Sequence, residues 1–359
     1  MDINENIAAP KRMLIVGGGG FIGGFIAAEA LRRGYDTTVA VRESTSLRWL
    51  QGMPLKFLVL DYDSPESVAK SLAQALPEGE TWDYIIYNLG ATKCVNFADF
   101  NRINYLYLRD FVGALRESGK MPRERFLYMS SLSALGPGDE QGYEPLTCRM
   151  IPNPNTRYGV SKIKAETFLE TCADLPWTIF RPTGVYGPHE QDYLMMIRSI
   201  DSHWDFGVGY RRQMLTFIYV EDLVGAMMDA IVSPNTLKKK YIISEPRAYS
   251  QKEFRRIVSR ALGGRFVIPV KLPMWAVYAA SCVAEKVGAL RGKPSTLNRD
   301  KFRIMKQRNW NCDVSDAMRD FGFRCDFPLK RGVEETVKAY LKDKKDKKDK
   351  KDRKEGGRG

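Results

Sequence analysis

Met13-Leu14-Ile15-Val16-Gly17-Gly18-Gly19-Gly20-Phe21-Ile22-Gly23 is the stretch on which the fold turns. A short apolar run ends in four glycines, and an apolar-periodic segment follows from Phe21 to Arg33, closed by Gly34. Strand, glycine-rich turn, helix and glycine stop together open a βαβ unit. The alternation continues outward from there. Residues 37–41 and 57–60 read as strands, Ser64 caps a helix to about 76, 84–87 is a fourth strand, 98–117 a long helix and 126–129 a fifth strand. A Pro/Gly-containing loop over 136–157 leads to a helix at 158–172 and a strand at 177–180 that ends at Arg181-Pro182. Strands and helices at this spacing predict an α/β protein built on a doubly wound parallel sheet covered on both faces.

Beyond 182 the pattern loosens, with a strand near 215–220 and a helix after Asp222, which reads as that helix's N-cap. The expected organisation is therefore a sheet domain over 11–182 and a smaller, mixed substrate-binding lobe over 183–341, some of whose segments return to the sheet. The last stretch, 342–359, has ten basic and five acidic residues and no apolar one. It cannot offset the entropy of ordering itself and is expected to be disordered, mainly solubilising, with attraction to anionic lipid or nucleic acid as the sharper role. It carries +5 of the chain's net +13. Nucleic acid is not an expected partner.

With 359 residues, 44% of them hydrophobic, the chain has material for a sizeable core and is not disordered as a whole. No apolar run approaches the roughly 18 residues a spanning helix needs, and the first residues carry no secretory pattern, so the expected compartment is the cytoplasm. Residues 274–284 are uncharged; they read as a packed lobe helix, with an interfacial membrane helix over 273–290 as the second reading. Six scattered cysteines without a Cys-x-x-Cys pair read as reduced thiols. With only His189 and His203 present, acid/base chemistry must use another side chain, and no metal is expected.

The glycines fit two fingerprints at once, G-x-G-x-x-G through Gly18, Gly20 and Gly23, and G-x-x-G-x-x-G through Gly17, Gly20 and Gly23. In either, a backbone without side chains approaches a pyrophosphate, and the helix N-terminus adds amide groups and positive dipole. This makes the sheet domain a Rossmann-type dinucleotide domain. The residue ending the second strand selects the variant: an acid bonds the ribose of NAD, an arginine accommodates the 2′-phosphate of NADP. Here it is Arg42, so NADP(H) is expected ahead of NAD(H), with Glu43 alongside.

Tyr158 and Lys162 lie four residues apart, on one face of a helix. An ammonium beside a phenol favours the phenolate and lowers a pKa that is otherwise about 10. Upstream, Ser130-Ser131-Leu132-Ser133 leaves the fifth strand at its carboxyl end, where ligands bind in open α/β sheets. These motifs, in this order, resemble the extended short-chain dehydrogenase/reductase family, also called the NAD-dependent epimerase/dehydratase family, over about residues 11–341. Leu89-Gly90-Ala91 resembles its cofactor-lining stretch, Asp61-Tyr62 its adenine-contacting pair, and Arg181 to Pro188 the segment where nicotinamide meets the lobe.

The resemblance implies Tyr158 as general acid/base, Lys162 as its tuner and ribose ligand, and Ser131 as the group that polarises the substrate oxygen. It implies cofactor contacts at Gly17, Gly20, Phe21, Ile22, Gly23, Arg42, Asp61, Tyr62, Leu89, Gly90, Ala91, Pro182 and Val185, and substrate contacts at Thr92, Ser133 and Thr183. It also implies a homodimer through 98–117 and 158–172. Relatives acting on nucleotide sugars usually carry asparagine where this chain has Thr183-Gly184, and arginine where it has Leu215, although Arg211 and Arg212 lie close. The expected reaction is therefore reduction of an apolar ketone, in the style of the steroid-, flavonoid- and ketolipid-reducing branches. A nucleotide-sugar epimerase or dehydratase that retains NAD is the alternative.

Overall fold

The apolar run before the glycines is strand β1 (Arg12–Val16), and in the computed structural model, which describes residues 9–356, it lies inside a sheet. The glycines turn into α1 (Phe21–Arg32), then β2 (Asp36–Val41), β3 (Lys56–Val59) and α2 (Pro65–Ala75), where the Ser64 side chain accepts from the Ser67 amide as N-cap. There follow β4 (Tyr84–Tyr87), α3 (Phe97–Asn101), a π-helical turn over Arg102–Leu106, α4 (Tyr107–Glu117), β5 (Arg125–Met129), a 3-10 turn over Leu132–Ala134, α5 (Arg157–Thr171) and β6 (Trp177–Pro182). The expected single helix over 98–117 is thus interrupted, because the chain widens by a residue to turn Asn104 inward.

The lobe contributes β7 (Gly184–Tyr186), α6 (Gln191–Asp201), β8 (Trp204–Val208), β9 (Met214–Leu215) and β10 (Phe217–Tyr219). Then α7 (Val220–Val232) and β11 (Lys240–Ile243) return to the sheet domain. β12 (Tyr249–Ser250), α8 (Gln251–Ala261), β13 (Ile268–Leu272), α9 (Met274–Leu290), α10 (Arg299–Lys306), α11 (Ser315–Phe321) and α12 (Leu329–Gly356) complete the chain. The main sheet is parallel, in the order β11-β6-β5-β4-β1-β2-β3.

Alternation along each strand splits the core in two. Met13, Ile15, Val39, Ile86 and Leu127 face α1 and α7, packing with Ile26 and Met227. Leu14, Val16, Ile85, Tyr87 and Phe126 face α2, α4 and α5, packing with Leu72, Leu108 and Leu169. Strand order reverses between β1 and β4, which opens a crevice at the carboxyl ends of these strands.

Three further expectations are corrected. Asp222 does not cap its own helix: Tyr219 holds that position, and the buried Asp222 carboxylate accepts from the Asp326 and Phe327 amides at 3.0 Å each, tying the approach to α12 onto α7. Of the stretch 342–359 expected to be disordered, 342–356 is helical, and 357–359 lie outside the described residues. Its Lys/Asp period places opposite charges four apart, as in Lys342–Asp346 and Asp343–Lys347, and Lys344 pairs with Asp201 at 2.6 Å. Finally, α9 is a helix but packs only lightly, with Val277 and Ser281 its buried residues. No helix among the described residues is long and apolar enough to cross a membrane.

Candidate active site

The crevice begins at the glycine turn. Gly17 has φ +85°, and a Cβ there would lie 2.7 Å from the Leu89 backbone nitrogen. A Cβ on Gly23 would lie 2.5 Å from the Gly17 carbonyl oxygen. At both positions backbone meets backbone, so the turn closes only with glycine. Gly20 differs: the nearest atom to an added Cβ is the Gly17 oxygen at 3.7 Å, which leaves room at the mouth of α1 that the protein does not fill. The first turn of α1, including Phe21 and Ile22, has neither a side-chain cap nor an acidic residue, so its amides are left for a ligand.

Opposite this turn, Leu89-Gly90-Ala91 follows β4 and is held by Asn104. The Asn104 carboxamide is fully buried; it accepts from the Ala91 amide at 2.7 Å and donates to the Ala91 carbonyl at 3.0 Å and to the Ser161 hydroxyl at 2.9 Å. At the end of β2, Arg42 is exposed, its backbone closed into a turn with Thr45, and no carboxylate among the described residues pairs with it. Its charge acts on the phenols of Tyr62 and Tyr107, whose rings lie 5.5 Å apart. The buried Tyr62 hydroxyl has no partner among the described residues, while Asp61 is exposed and turns back on the Asp63 amide.

At the carboxyl end of β5, the Ser131 side chain accepts from the Ser133 amide at 3.2 Å and faces the Tyr158 phenol from across the chain. Gly159 admits this approach, since a Cβ there would lie 2.2 Å from the Ser133 carbonyl oxygen. Lys162 is 3% exposed; its ammonium nitrogen donates to the Met129 carbonyl at 2.7 Å and lies 4.8 Å from the Tyr128 ring centre and 6.0 Å from that of Tyr158. Burial brings Lys162 down to about 7, opposed by Glu166, and pushes the Tyr158 phenol up to about 12, opposed by Ser131. The lowering of the phenol expected from a neighbouring ammonium is therefore reversed in this structure, because desolvation disfavours the charged form of each group.

One turn further along α5, Glu166 is fully buried between Arg181 of β6, whose Nε lies 3.1 Å from both carboxylate oxygens, and the Ser130 hydroxyl. This triad locks α5 to β5 and β6 and thereby sets the height of Tyr158 and Lys162 in the crevice. Arg157, just before Tyr158, reaches the lobe: its Nε lies 3.2 Å from Asp300 on α10 and its Nη2 3.1 Å from Glu285 on α9.

A family model described as NAD dependent epimerase/dehydratase family matches residues 13–244, most of the chain, including the glycine turn, Asn104, Ser131, Tyr158, Lys162 and Glu166. The chain belongs to the NAD dependent epimerase/dehydratase family. In the wider classification it is an extended short-chain dehydrogenase/reductase, an NAD(P)-dependent enzyme. It is similar to Protein CapI of Staphylococcus aureus, 21% identical over 355 residues, 92% of this chain and 98% of that one. It is 23% identical to the human sterol-4-alpha-carboxylate 3-dehydrogenase, decarboxylating, over 62% of this chain and 57% of that protein. It spans about a third of several other curated relatives. Its fold matches a solved UDP-glucose 4-epimerase of Thermotoga maritima with a TM-score of 0.73 at 19% identity, covering 92% of this chain and 99% of the other.

The residues present fit the family's dinucleotide: an uncapped helix N-terminus, the unfilled space at Gly20 and a lysine with two free protons beside the crevice. Of the expected substrate contacts, Thr92 is exposed on the loop after β4 and Ser133 lies in the 3-10 turn beside Ser131. Thr183 is not available: its buried hydroxyl bonds the Thr216 carbonyl and hydroxyl at 3.0 Å each, fastening β6 to the approach of β10. Pro182 ends β6 opposite Ile243, and Val185 pairs with Ile218. Sequence reasoning missed Asn104, Glu166 and Arg157. Glu166 was within reach, being four residues past Lys162 on the same helix face; Asn104 showed only as a polar residue in an apolar helical pattern.

Proposed function

We propose that this enzyme reduces the ketone of an apolar, lipid-like substrate with NADPH. The observation that carries the reading is the meeting of Ser131, Tyr158 and Lys162 at the carboxyl end of β5, with a phenol that stays protonated at neutral pH. The bound dinucleotide supplies the hydride. The glycine turn and the first amides of α1 hold its pyrophosphate, Arg42 receives the ribose 2′-phosphate, and Lys162 holds the other ribose with the donors that Met129 leaves free. Ser131 donates to the substrate oxygen and fixes it beside Tyr158, which delivers its proton to that oxygen as charge develops there. Thr92 and Ser133 meet the substrate at the rim.

The apolar class is supported by a sterol-directed relative and by the lobe's buried arginine. The guanidinium of Arg308, 2% exposed, bonds the backbone carbonyls of Val208, Met305 and Lys306, and its own amide donates to the Glu140 carboxylate, so it is held inside the lobe. One observation favours a nucleotide-sugar epimerase or dehydratase with retained NAD instead: Arg211 and Arg212 stand exposed between β8 and β9. The deciding assay follows NADPH and NADH absorbance with ketolipid and steroid ketones, alongside calorimetry with UDP-sugars. NADPH-dependent turnover is expected, with a loss of at least about 10²-fold in Tyr158→Phe at nearly unchanged nucleotide affinity and a smaller loss in Ser131→Ala. Micromolar UDP-sugar binding, or protein that purifies with NAD attached, would select the alternative.

A further inference from the structure

Outside the crevice, the lobe exposes apolar side chains on two elements that meet at Val208. β8 and β13 pair in parallel, with Trp204 opposite Ile268, Phe206 opposite Val270 and Val208 opposite Leu272, so six apolar side chains share one face of a two-stranded ribbon. Of these only Val208 is buried; the Trp204 and Phe206 rings stack 6.2 Å apart and are 43% and 54% exposed. The ribbon runs through Pro273 into α9, whose inner side seats Val277 against Val208 and Phe302. The opposite stripe of α9 carries Trp275, Ala279, Val283 and Leu290 at helical spacing, with Trp275 76% and Leu290 88% exposed. On its inner side α9 packs against Phe302 of α10 and meets the ribbon at Val208, which leaves the outer stripe of α9 and the outer residues of the ribbon both uncovered.

Charge selects what covers this surface. Lys271, Lys286, Arg291 and Lys293 are exposed around it, and none of them is in an ion pair among the described residues. The one acid of α9, Glu285, turns inward to Arg157 and Arg299. A two-fold contact between copies of the chain would set these cations against their own like charges. We propose that this face docks on an anionic lipid bilayer, with α9 lying in the headgroup layer, its aromatic and aliphatic stripe inserted and its cations against lipid phosphates. Glu285 on α9 grips Arg157, the residue preceding Tyr158, so the docked helix is tied to the start of α5. Only the corollary, that an apolar ketone enters from the bilayer, rests on the function proposed above.

The test is flotation of the full chain with phosphatidylcholine vesicles, with and without phosphatidylserine. The expected result is at least about tenfold more bound chain on the anionic vesicles, falling as salt rises. Trp275→Glu/Val283→Glu should lose that binding about tenfold, and so should Trp204→Ser on the other element, both with unchanged melting temperature and NADPH affinity. Absence of flotation, or equal flotation of the variants, overturns the proposal; the second result would assign binding to the helical tail. Sedimentation showing a dimer that the double variant splits, with no flotation, would make the face a self-interface and overturn it as well. Turnover of a water-soluble ketone reports on the reductase reading separately, since it needs no bilayer.

Discussion

Lys162 shows how one residue joins stability to chemistry. Its folded pKa, about 7, lies below the ordinary 10.5, so between those values the unfolded chain binds more protons than the folded one. Stability therefore rises with pH across that window, and the burial penalty, at most about 5 kcal/mol, is fully present below pH 7. Lys162→Met should be more stable than the natural chain at neutral pH, and the difference should shrink toward pH 10. Thermal melting of both proteins from pH 7 to 9.5 measures this, and parallel curves would contradict it. The spacing of Tyr158 and Lys162 was legible in the sequence because a helix face is a local property. The direction of their pKa shifts was not, since it comes from burial, and the Tyr128 ring and Met129 carbonyl that close over Lys162 arrive from β5.

Among the elements, the glycine turn separates glycines the fold needs from one it does not. Gly17→Ala puts a Cβ against the Leu89 backbone at a positive φ and should destabilise the protein by more than about 2 kcal/mol. Gly20→Ala should change stability by no more than about 1 kcal/mol while weakening NADPH binding tenfold or more, because its Cβ fills the space left for the pyrophosphate. Chemical unfolding and NADPH fluorescence titration distinguish the two; nucleotide binding that survives in Gly20→Ala would remove the site from α1. The strands of the main sheet were legible because each is a short apolar run between turn residues. The π-helical turn was not, since its cause is a set of bonds from Asn104 to Ala91 and Ser161 rather than any local propensity.

Across the whole molecule, the lobe is fastened to the sheet domain by the cluster of Arg157, Asp300, Glu285 and Arg299. Arg299 and Arg157 hold the Glu285 carboxyl down to about 2. Its folded pKa is thus below the unfolded value, and its contribution is present above about pH 4.5 and lost as pH falls toward 2. Arg157→Met should lower stability by about 1–3 kcal/mol at pH 7, since Asp300 and Glu285 lose a partner while largely buried. The deficit should narrow at pH 3.5, which urea unfolding at the two values tests; an equal deficit would place the effect in packing instead.

What the sequence determined by itself is everything written in local periodicity: the parallel sheet, the glycine turn at its centre, the helix that carries Tyr158 and Lys162, and Ser131 at a strand end. Those features depend on residues within a few positions of one another. Tertiary structure decided the rest. Thr183 was turned from the crevice by Thr216, Asp222 became a clamp on a distant segment, and the run over 273–290 became a helix with its apolar stripe outward. In each case the outcome depends on which distant surface arrives as partner, and that information lies in the packing of the whole chain rather than in any window of it.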